Sequence, residues 1–241
     1  MWTPSALASE FQAYGERVWR VVEAQHRIST NRLAASPEDQ KLLEDLAEAV
    51  KPDLPREARG LHYLLASPFR YGHRSASRFR RADERPGIFY ASEAEATAVA
   101  ETAFWRLRFL SRSPGLVPPR TVSEHSSFSV ALRLDRLIDL TTSPFSRDAP
   151  AWVADDYTAC QSLAGSARQV SAQAVRSISA RDPDRRCNLA LLDPVGFADR
   201  SPRTGKTWHL RIEGSTLIAL AAFPSELQFR FTAEQFGLTI G

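Results

Sequence analysis

The stretch Ile88-Phe-Tyr-Ala-Ser-Glu-Ala-Glu-Ala-Thr-Ala-Val-Ala-Glu101 predicts a short strand followed directly by a long helix. Its first three residues are apolar and aromatic, as strands prefer. Ser92 is placed to cap the helix, and acidic residues occupy the first turn, where they interact favourably with the helix dipole. We expect the strand at residues 88–90 and a helix that runs through about residue 111.

Glu101 is the unusual residue of this helix, because the face on which it lies is otherwise small or apolar. Ala94, Ala98, Glu101 and Trp105 are three or four residues apart, so their side chains share one inward-packing side of the helix. A carboxylate on such a face loses hydration and must be paired or hydrogen-bonded. Glu101 therefore either anchors a structural ion pair or acts in a pocket, and the residue alone slightly favours the ion pair.

The segments on either side predict an α+β (mixed α/β) fold in a single domain of residues 1–241. Arg17–Glu23 alternates arginines with β-branched and aromatic residues, which indicates a strand. Residues 36–66 predict a helical hairpin, an insert that begins with Ser36 as a helix cap and Pro37 in the first turn. Further helices are expected at residues 4–16 and 155–169, and further strands at residues 121–134, 174–180, 188–192, 207–213, 217–223 and 226–232. The last three strands make residues 196–241 a β-rich C-terminal extension.

The composition is that of a soluble globular chain, with 241 residues of which 43% are hydrophobic and 24% charged. No apolar run approaches the roughly 18 to 20 residues that span a bilayer, and the N-terminus lacks a signal-peptide pattern. We therefore expect a cytoplasmic protein with no membrane segment. The 2 cysteines exclude a disulfide scaffold or a four-cysteine zinc site, and the 5 scattered histidines argue against any metal site.

The net charge of +3 is concentrated between residues 61 and 120, which hold 10 basic and 5 acidic side chains. Six of these basic residues form what we call the arginine cluster: Arg70, Arg74, Arg78, Arg80, Arg81 and Arg85. Guanidinium groups match the geometry of phosphates and carboxylates, so the cluster suits a nucleic-acid backbone, a small phosphorylated ligand or an acidic protein. A solvated arginine-rich loop explains the charge equally well.

Familiar catalytic motifs are absent or incomplete. Residues 204–207, Thr-Gly-Lys-Thr, resemble the end of a phosphate-binding P-loop, but Arg200 stands where that loop needs its first glycine. The sequence contains no GxGxxG dinucleotide motif and no HExxH zinc motif. His125 lies among serines without the GxSxG elbow of a serine hydrolase, so it is a weak candidate.

Several spaced motifs together resemble the RES domain family, which is named for its arginine, glutamate and serine. They are Ser77-Arg-Phe-Arg80, Gly87-Ile-Phe-Tyr90, Thr97-Ala-Val-Ala-Glu101, Ser177-Ile-Ser-Ala-Arg-Asp182 and Asn188-Leu-Ala-Leu-Leu-Asp-Pro194. The resemblance covers about residues 17–195, and Val18-Trp-Arg-Val-Val22 ahead of a helical insert is similar to the longer, ParT-like members. Members of the family are toxins of bacterial type II toxin–antitoxin pairs, whose antitoxins resemble Xre-type helix-turn-helix repressors.

The resemblance implies an ADP-ribosyltransferase-like core of mixed β-sheets with flanking helices, and NAD as its substrate. Position by position, it assigns Arg20, Arg78, Tyr90, Glu101 and Ser179 to the site. Arg20 and Arg78 would bind the NAD pyrophosphate, Tyr90 would supply a ring face for the nicotinamide, and Ser179 would orient the glutamate or the ribose. Glu101 would stabilise the positive charge that develops on the ribose as the nicotinamide–ribose bond breaks.

Three of these assignments have an ordinary structural alternative: Tyr90 as core packing, Arg20 as a surface strand residue, and Ser179 as a solvent-facing hydroxyl. The chain also departs from the family pattern at Arg80, where many members have asparagine, and at residues 75–77, where a glycine is common. These departures leave the loop geometry and the reaction outcome open.

The resemblance also leaves open which group accepts the ADP-ribose. We favour NAD depletion, in which water or phosphate attacks the ribose and growth is arrested. The alternative is mono-ADP-ribosylation of a protein such as ribose-phosphate diphosphokinase. A second alternative is a non-enzymatic module that binds through the arginine cluster, although few stacking aromatics accompany those arginines, which argues against direct nucleic-acid binding. The expected partner is an Xre-like antitoxin, and no metal is expected.

Overall fold

The computed structural model describes residues 2–24, 36–113, 115–116 and 122–240. Six helices lie in these ranges: α1 Pro4–Ala8, α2 Pro37–Ala49, α3 Tyr63–Arg70, α4 Glu95–Ser111, α5 Ala149–Val153 and α6 Thr158–Gln169. Ten strands lie in the same ranges: β1 Gln12–Tyr14, β2 Arg17–Glu23, β3 Phe89–Ser92, β4 Ser123–Ala131, β5 Leu134–Asp139, β6 Ala174–Ile178, β7 Cys187–Leu191, β8 Arg203–Glu213, β9 Thr216–Ala221 and β10 Gln228–Thr232. The predicted mixed α+β class is confirmed. None of the helices in these ranges combines the length and the apolar character that a membrane crossing needs.

The ten described strands form one mixed sheet in the order β1-β5-β6-β7-β3-β2-β4-β8-β9-β10. Within the described chain, β5 and β6 run parallel and the other neighbouring strands are antiparallel. Along its whole length β2 pairs with β4. β2 also pairs with β3, and in the described residues this pairing is between Trp19 and Ser92. The two halves of the sheet are therefore joined by a short ladder at their centre, and a cleft opens there.

Both faces of the first half of the sheet are covered by helices. Alternate residues of a strand point to opposite faces, so Val175 and its neighbour Ala174 belong to different cores. On the Val175 side, α1, α5 and α6 contribute Leu7, Trp152 and Leu163. On the Ala174 side, the core is completed by buried side chains of α3.

Helix α4 covers the second half of the sheet and borders the cleft. Its side chains Val99, Ala103 and Leu107 are buried in a third core formed with β8, β9 and β10. The flank that carries Ala98 and Glu101 lines the cleft instead. One helix therefore anchors the C-terminal strands and presents the predicted glutamate.

The prediction of a helix over residues 4–16 is wrong beyond Ala8. Residues 12–14 form β1, which pairs antiparallel with β5. Here the tertiary pairing overrides a helix-forming composition, as it commonly does in short segments.

The prediction that Ser92 caps a helix is also wrong. Ser92 is the last residue of β3, and Ala94 occupies the N-cap position of α4. The Ser92 hydroxyl instead donates a hydrogen bond to Asn188 Oδ1 at 2.6 Å. The strand simply runs two residues further than its apolar pattern indicates.

The predicted insert contains two helices, but the second ends at Arg70, beyond the expected end of the insert at residue 66. α3 continues through Pro68 to Arg70, because burial of Leu65 and Phe69 stabilises it despite the proline. Every residue of α2 is at least partly exposed. The two helices are linked by an ion pair of 2.7 Å between Arg70 Nη1 and Glu48 Oε1.

The remaining elements lie close to their predicted positions. β2 has the predicted bounds, and β6 to β10 and α6 differ by a few residues. The strand expected over residues 121–134 is divided into β4 and β5, and residue 121 lies outside the described ranges. The sequence does not show where β5 begins, because its first residue, Leu134, continues the alternation of apolar residues that marks β4.

Candidate active site

A cleft of about 400 Å³ opens where β2 and β3 meet, and four of the five predicted site residues line it. These four are Arg20 on β2, Arg78 in the loop before β3, Tyr90 on β3 and Glu101 on α4. The fifth, Ser179, follows β6 and lies behind Glu101. A volume of this size falls within the range of about 300 to 1,000 Å³ that is usual for small-molecule sites.

The Glu101 carboxylate is held through one oxygen by two neutral donors. Ser179 Oγ and Asn188 Nδ2 each donate to Oε1 at 2.6 Å. Within the described part of the chain, no arginine or lysine forms an ion pair with this carboxylate, so the structural ion pair that the sequence slightly favoured is not found. The second oxygen, Oε2, accepts no hydrogen bond from the described residues.

Ser179 is fixed by the turn that follows β6. Its Oγ accepts the backbone N–H groups of Arg181 at 3.1 Å and of Asp182 at 3.0 Å. Its own proton is then directed to Glu101. The turn is tied to α4, because Thr97 Oγ1 donates to Asp182 Oδ2 at 2.6 Å. Ser179 is only 3% exposed, so the solvent-facing alternative is wrong.

Tyr90 connects the cleft wall to the loop that carries Arg78. Its hydroxyl lies 2.8 Å from Ser77 Oγ and accepts the Phe79 backbone N–H at 3.2 Å. Burial raises the pKa of the Tyr90 phenol, which keeps it neutral. The tyrosine ring lines the cleft while its hydroxyl holds the loop, a second contribution that the sequence did not indicate.

Arg78 is positioned by backbone carbonyls and an aromatic ring. Its Nη1 donates to Trp152 O at 2.7 Å and to Ala154 O at 2.9 Å. Its guanidinium lies 4.9 Å from the centroid of the Tyr157 ring. These contacts hold the cation at the cleft. Because Nη1 already donates to two backbone carbonyls, a ligand would bind the other guanidinium nitrogens.

Arg20 is a cation without a full set of partners. Its guanidinium lies 5.1 Å from the centroid of the Phe89 ring. The Nη1 atom is buried and has no hydrogen-bond partner among the described residues, although the residue as a whole is partly exposed. Burial lowers the pKa of Arg20 to about 10. An unsatisfied buried donor in a cleft is a feature of binding sites for anions.

The arginine cluster is partly structural. Arg80 is 3% exposed, and it donates to the backbone carbonyls of His73, Ser75 and Arg81 at 2.6 to 2.9 Å. It therefore organises the loop at the position where many family members have asparagine. Arg70 is likewise tied down by its ion pair with Glu48 and its bond to a backbone carbonyl.

The mouth of the cleft contains residues whose roles the sequence did not reveal. Trp105 is 49% exposed and lines this mouth, so the expected inward packing is wrong for this residue. Arg181 lies 3.8 Å from the centroid of the Phe104 ring and donates to Asp155 at 2.8 Å. Asn188 belongs to one of the family motifs but had no predicted role. A polar asparagine inside the apolar strand β7 is the signal that marks it.

The weaker sequence candidates lie elsewhere. Residues 204–207 are part of strand β8. A P-loop would instead lie in a loop directly before a helix, so these residues do not form one. His125 is buried in β4, and its Nε2 lies 3.0 Å from Arg106 Nη2. Burial, together with the Arg106 charge, lowers the pKa of His125. Within the described ranges, no group of three or more His, Cys, Asp or Glu side chains is placed to hold a metal ion.

Comparison with known proteins connects this geometry to one family. The sequence profile of the RES domain matches residues 54–213. Among solved structures, the crystal structure of the M. tuberculosis MbcT–MbcA toxin–antitoxin complex aligns with 86% of this chain and 91% of that chain, at 14% sequence identity and a TM-score of 0.47. A search of curated proteins gives no match. The RES profile spans well over half of the sequence, and the chain belongs to the RES domain family.

Proposed function

We propose that this protein is an enzyme that consumes NAD by breaking the nicotinamide–ribose bond. The main support for the proposal is the hydrogen bonding of the Glu101 carboxylate. Its Oε1 is held by Ser179 and Asn188, while Oε2 is left without a hydrogen bond from the described residues, in a cleft that also contains the unsatisfied Arg20 cation. A carboxylate and arginines in one recess suit a ligand that carries phosphates and develops positive charge during reaction.

The proposed chemistry needs few protein groups. The bond between the ribose C1′ and the pyridinium nitrogen breaks, and its electron pair leaves with nicotinamide, which becomes neutral. Positive charge then develops on the ribose, where the Glu101 carboxylate stabilises it. Water adds at C1′ and releases a proton, giving ADP-ribose, or phosphate adds in its place.

The remaining cleft residues would bind and orient the substrate. Arg20 and Arg78 would bind the pyrophosphate through guanidinium N–H groups that the protein does not use. The Tyr90 ring would face the nicotinamide, and Ser179 would act through Glu101, because its hydroxyl donates to that carboxylate. The sequence resemblance to RES toxins supports the ADP-ribosyltransferase-like core, the toxin role, an Xre-like antitoxin as partner and a cytoplasmic location.

A protein acceptor for the ADP-ribose is the second candidate. The exposed aromatic side chains Trp105 and Phe109, 49% and 64% exposed, are one helical turn apart on α4, and Trp105 lines the mouth of the cleft. Such a surface favours protein contacts. The non-enzymatic alternative has less support, because Arg70, Arg78 and Arg80 of the arginine cluster are bonded to the protein itself.

Labelled NAD separates the two enzymatic outcomes. Purified protein is incubated with NAD labelled in the adenylate moiety, with and without a cell lysate. Free ADP-ribose, or its phosphate ester, without labelled protein supports NAD depletion. A single labelled protein band overturns simple depletion and supports the transferase.

Expression in bacterial cells tests the toxin role and the assigned site together. Glu101→Ala and Arg78→Ala are expected to relieve growth arrest, whereas Arg74→Ala, at an exposed arginine of the same loop, is the matched control and remains toxic. If the two site variants accumulate as folded protein and arrest growth as strongly as the parent, the assigned site is wrong.

A further inference from the structure

We infer that Asn188, held by Ser92, is a positioning residue that fixes the orientation of the Glu101 carboxylate, so that one of its oxygens faces the cleft. Its catalytic consequence rests on the proposed function, whereas the hydrogen bonds themselves do not. The sequence pattern assigned neither residue a role in the site. Both lie at the junction between the two halves of the sheet.

The strand register brings the two side chains together. Ser92 of β3 is paired directly with Asn188 of β7. Directly paired residues on neighbouring strands have their side chains on the same face of the sheet. Ser92 Oγ donates to Asn188 Oδ1 at 2.6 Å, and Asn188 Nδ2 donates to Glu101 Oε1 at 2.6 Å. A short chain of hydrogen bonds therefore runs from β3 through β7 to α4.

The orientation of the Asn188 amide follows from the chemistry of its partners. An ionised carboxylate can only accept hydrogen bonds, so the NH₂ group must face Glu101. The amide oxygen then faces Ser92, whose hydroxyl can donate to it. Ser92 is 3% exposed, so water does not compete readily for this bond. The carboxylate thus sets the orientation of the amide, and the Ser92 hydroxyl, which donates to the amide oxygen, holds the side chain in place.

Two donors on one oxygen restrict the carboxylate more than one donor would. With Ser179 alone, the Glu101 carboxylate would be free to pivot about a single hydrogen bond. With Ser179 and Asn188 both on Oε1, a rotation of the carboxylate away from this orientation must break two bonds at once. Oε2 is then the oxygen presented to the cleft, and its position is fixed before any ligand binds.

Steady-state kinetics of NAD consumption test the positioning role. Asn188→Ala is expected to lower kcat by about 10- to 100-fold, because a displaced catalytic group of this kind loses about that much, while KM changes little. Ser92→Ala should act in the same direction and less strongly. Ser113→Ala, which removes a serine hydroxyl bonded to a backbone carbonyl at the end of α4, is the matched control and should retain parental kinetics. An unchanged kcat in Asn188→Ala overturns the inference.

The pH profile provides a readout that loss of packing would not change. Asn188→Asp places a second carboxylate against Glu101 where the amide donor had been. The two negative charges disfavour joint ionisation, so the acidic limb of the pH–rate profile should move to higher pH. Asn188→Ala, which adds no charge, should not produce this shift. If the pH–rate profiles of Asn188→Asp and the parent coincide, the side chain of residue 188 does not contact Glu101 as inferred.

The side-chain amide signal of Asn188 tests the hydrogen bonds without any enzyme assay. In a nitrogen–proton NMR spectrum the signal is assigned by its loss in Asn188→Asp. A charge-assisted bond should shift one amide proton downfield and slow its exchange with water, and Glu101→Ala should remove both effects. Parental protein that shows the shifted signal but releases no nicotinamide refutes the proposed enzyme while supporting the positioning bond. A signal identical in the parent and Glu101→Ala refutes the bond itself.

Discussion

Replacing Arg20 with methionine should stabilise the protein and weaken its binding of NAD. Burial lowers the pKa of Arg20 from its ordinary value to about 10, which corresponds to a cost of about 3 kcal/mol for keeping the charged group in the folded protein. The contact with the Phe89 ring, worth about 1 to 2 kcal/mol in a desolvated setting, would be lost. Methionine replaces the apolar stem of the arginine and leaves no buried donor, so we expect a net gain of about 1 to 2 kcal/mol in the free energy of unfolding.

Urea and thermal unfolding of the parent and Arg20→Met measure this gain. For a chain of this size, it corresponds to a rise in Tm of about 2 to 8 °C. Calorimetry with NAD should show weaker binding by the same variant. Arg133→Met is the matched control at an exposed arginine and should change neither quantity. A loss of stability in Arg20→Met of more than about 1 kcal/mol, well outside the spread for surface substitutions, would refute the idea that the buried cation is held at a cost to folding.

The pH dependence of this gain has a definite sign. The pKa of Arg20 is lower in the folded protein than in the unfolded chain, so the cost of the charge is fully present at neutral pH. It begins to fall as the pH rises through about 10 and the folded protein releases the proton, and it is lost completely only when the unfolded chain also deprotonates. The difference in stability between Arg20→Met and the parent should therefore narrow between about pH 8 and about pH 11, which lie about two units below and about one unit above that pKa.

Two further predictions concern groups around the cleft. Tyr90→Phe should lower the free energy of unfolding by about 1 to 3 kcal/mol in urea denaturation, because it leaves the Phe79 N–H without its acceptor and Ser77 without its partner; an unchanged midpoint would show that the hydroxyl does not hold the loop. Burial raises the pKa of the Glu95 carboxyl, but the hydrogen bonds it accepts, including that from Lys206, outweigh burial and lower it overall. Its stabilisation is therefore present at neutral pH and lost as the pH falls below its ordinary value of 4.5. Glu95→Gln should flatten the acid side of the stability profile, and an acid limb as steep as that of the parent would contradict this.

The strand–helix unit around Tyr90 and Glu101 was predictable because its information is local. Apolar and helical spacing place the strand and α4, and a carboxylate on an otherwise small or apolar helix face is enough to mark Glu101. Ser92 shows the limit of such reasoning. Its neighbours resemble a helix start, and only the pairing of β3 with β7 reveals that its hydroxyl faces Asn188.

The contacts that complete the site are long-range and could not be derived from spacing. Asn188 is separated from Glu101 by 87 residues and Ser179 by 78, so their meeting depends on the sheet order. The role of Arg80 was hidden for a similar reason. A buried arginine and an exposed one look alike in an arginine-rich loop, and only the carbonyls that surround Arg80 distinguish it from its neighbours.

Release of nicotinamide from NAD by purified protein, compared between the parent and Glu101→Gln, tests the central claim most directly. The glutamine oxygen can accept the bonds from Ser179 and Asn188, so its NH₂ group replaces Oε2 at the cleft and the fold is preserved. We predict release by the parent and a rate at least about 100-fold lower for the variant, the loss expected when a group that stabilises transition-state charge is removed. Equal rates for the two proteins, or no nicotinamide released by the parent, would contradict the account.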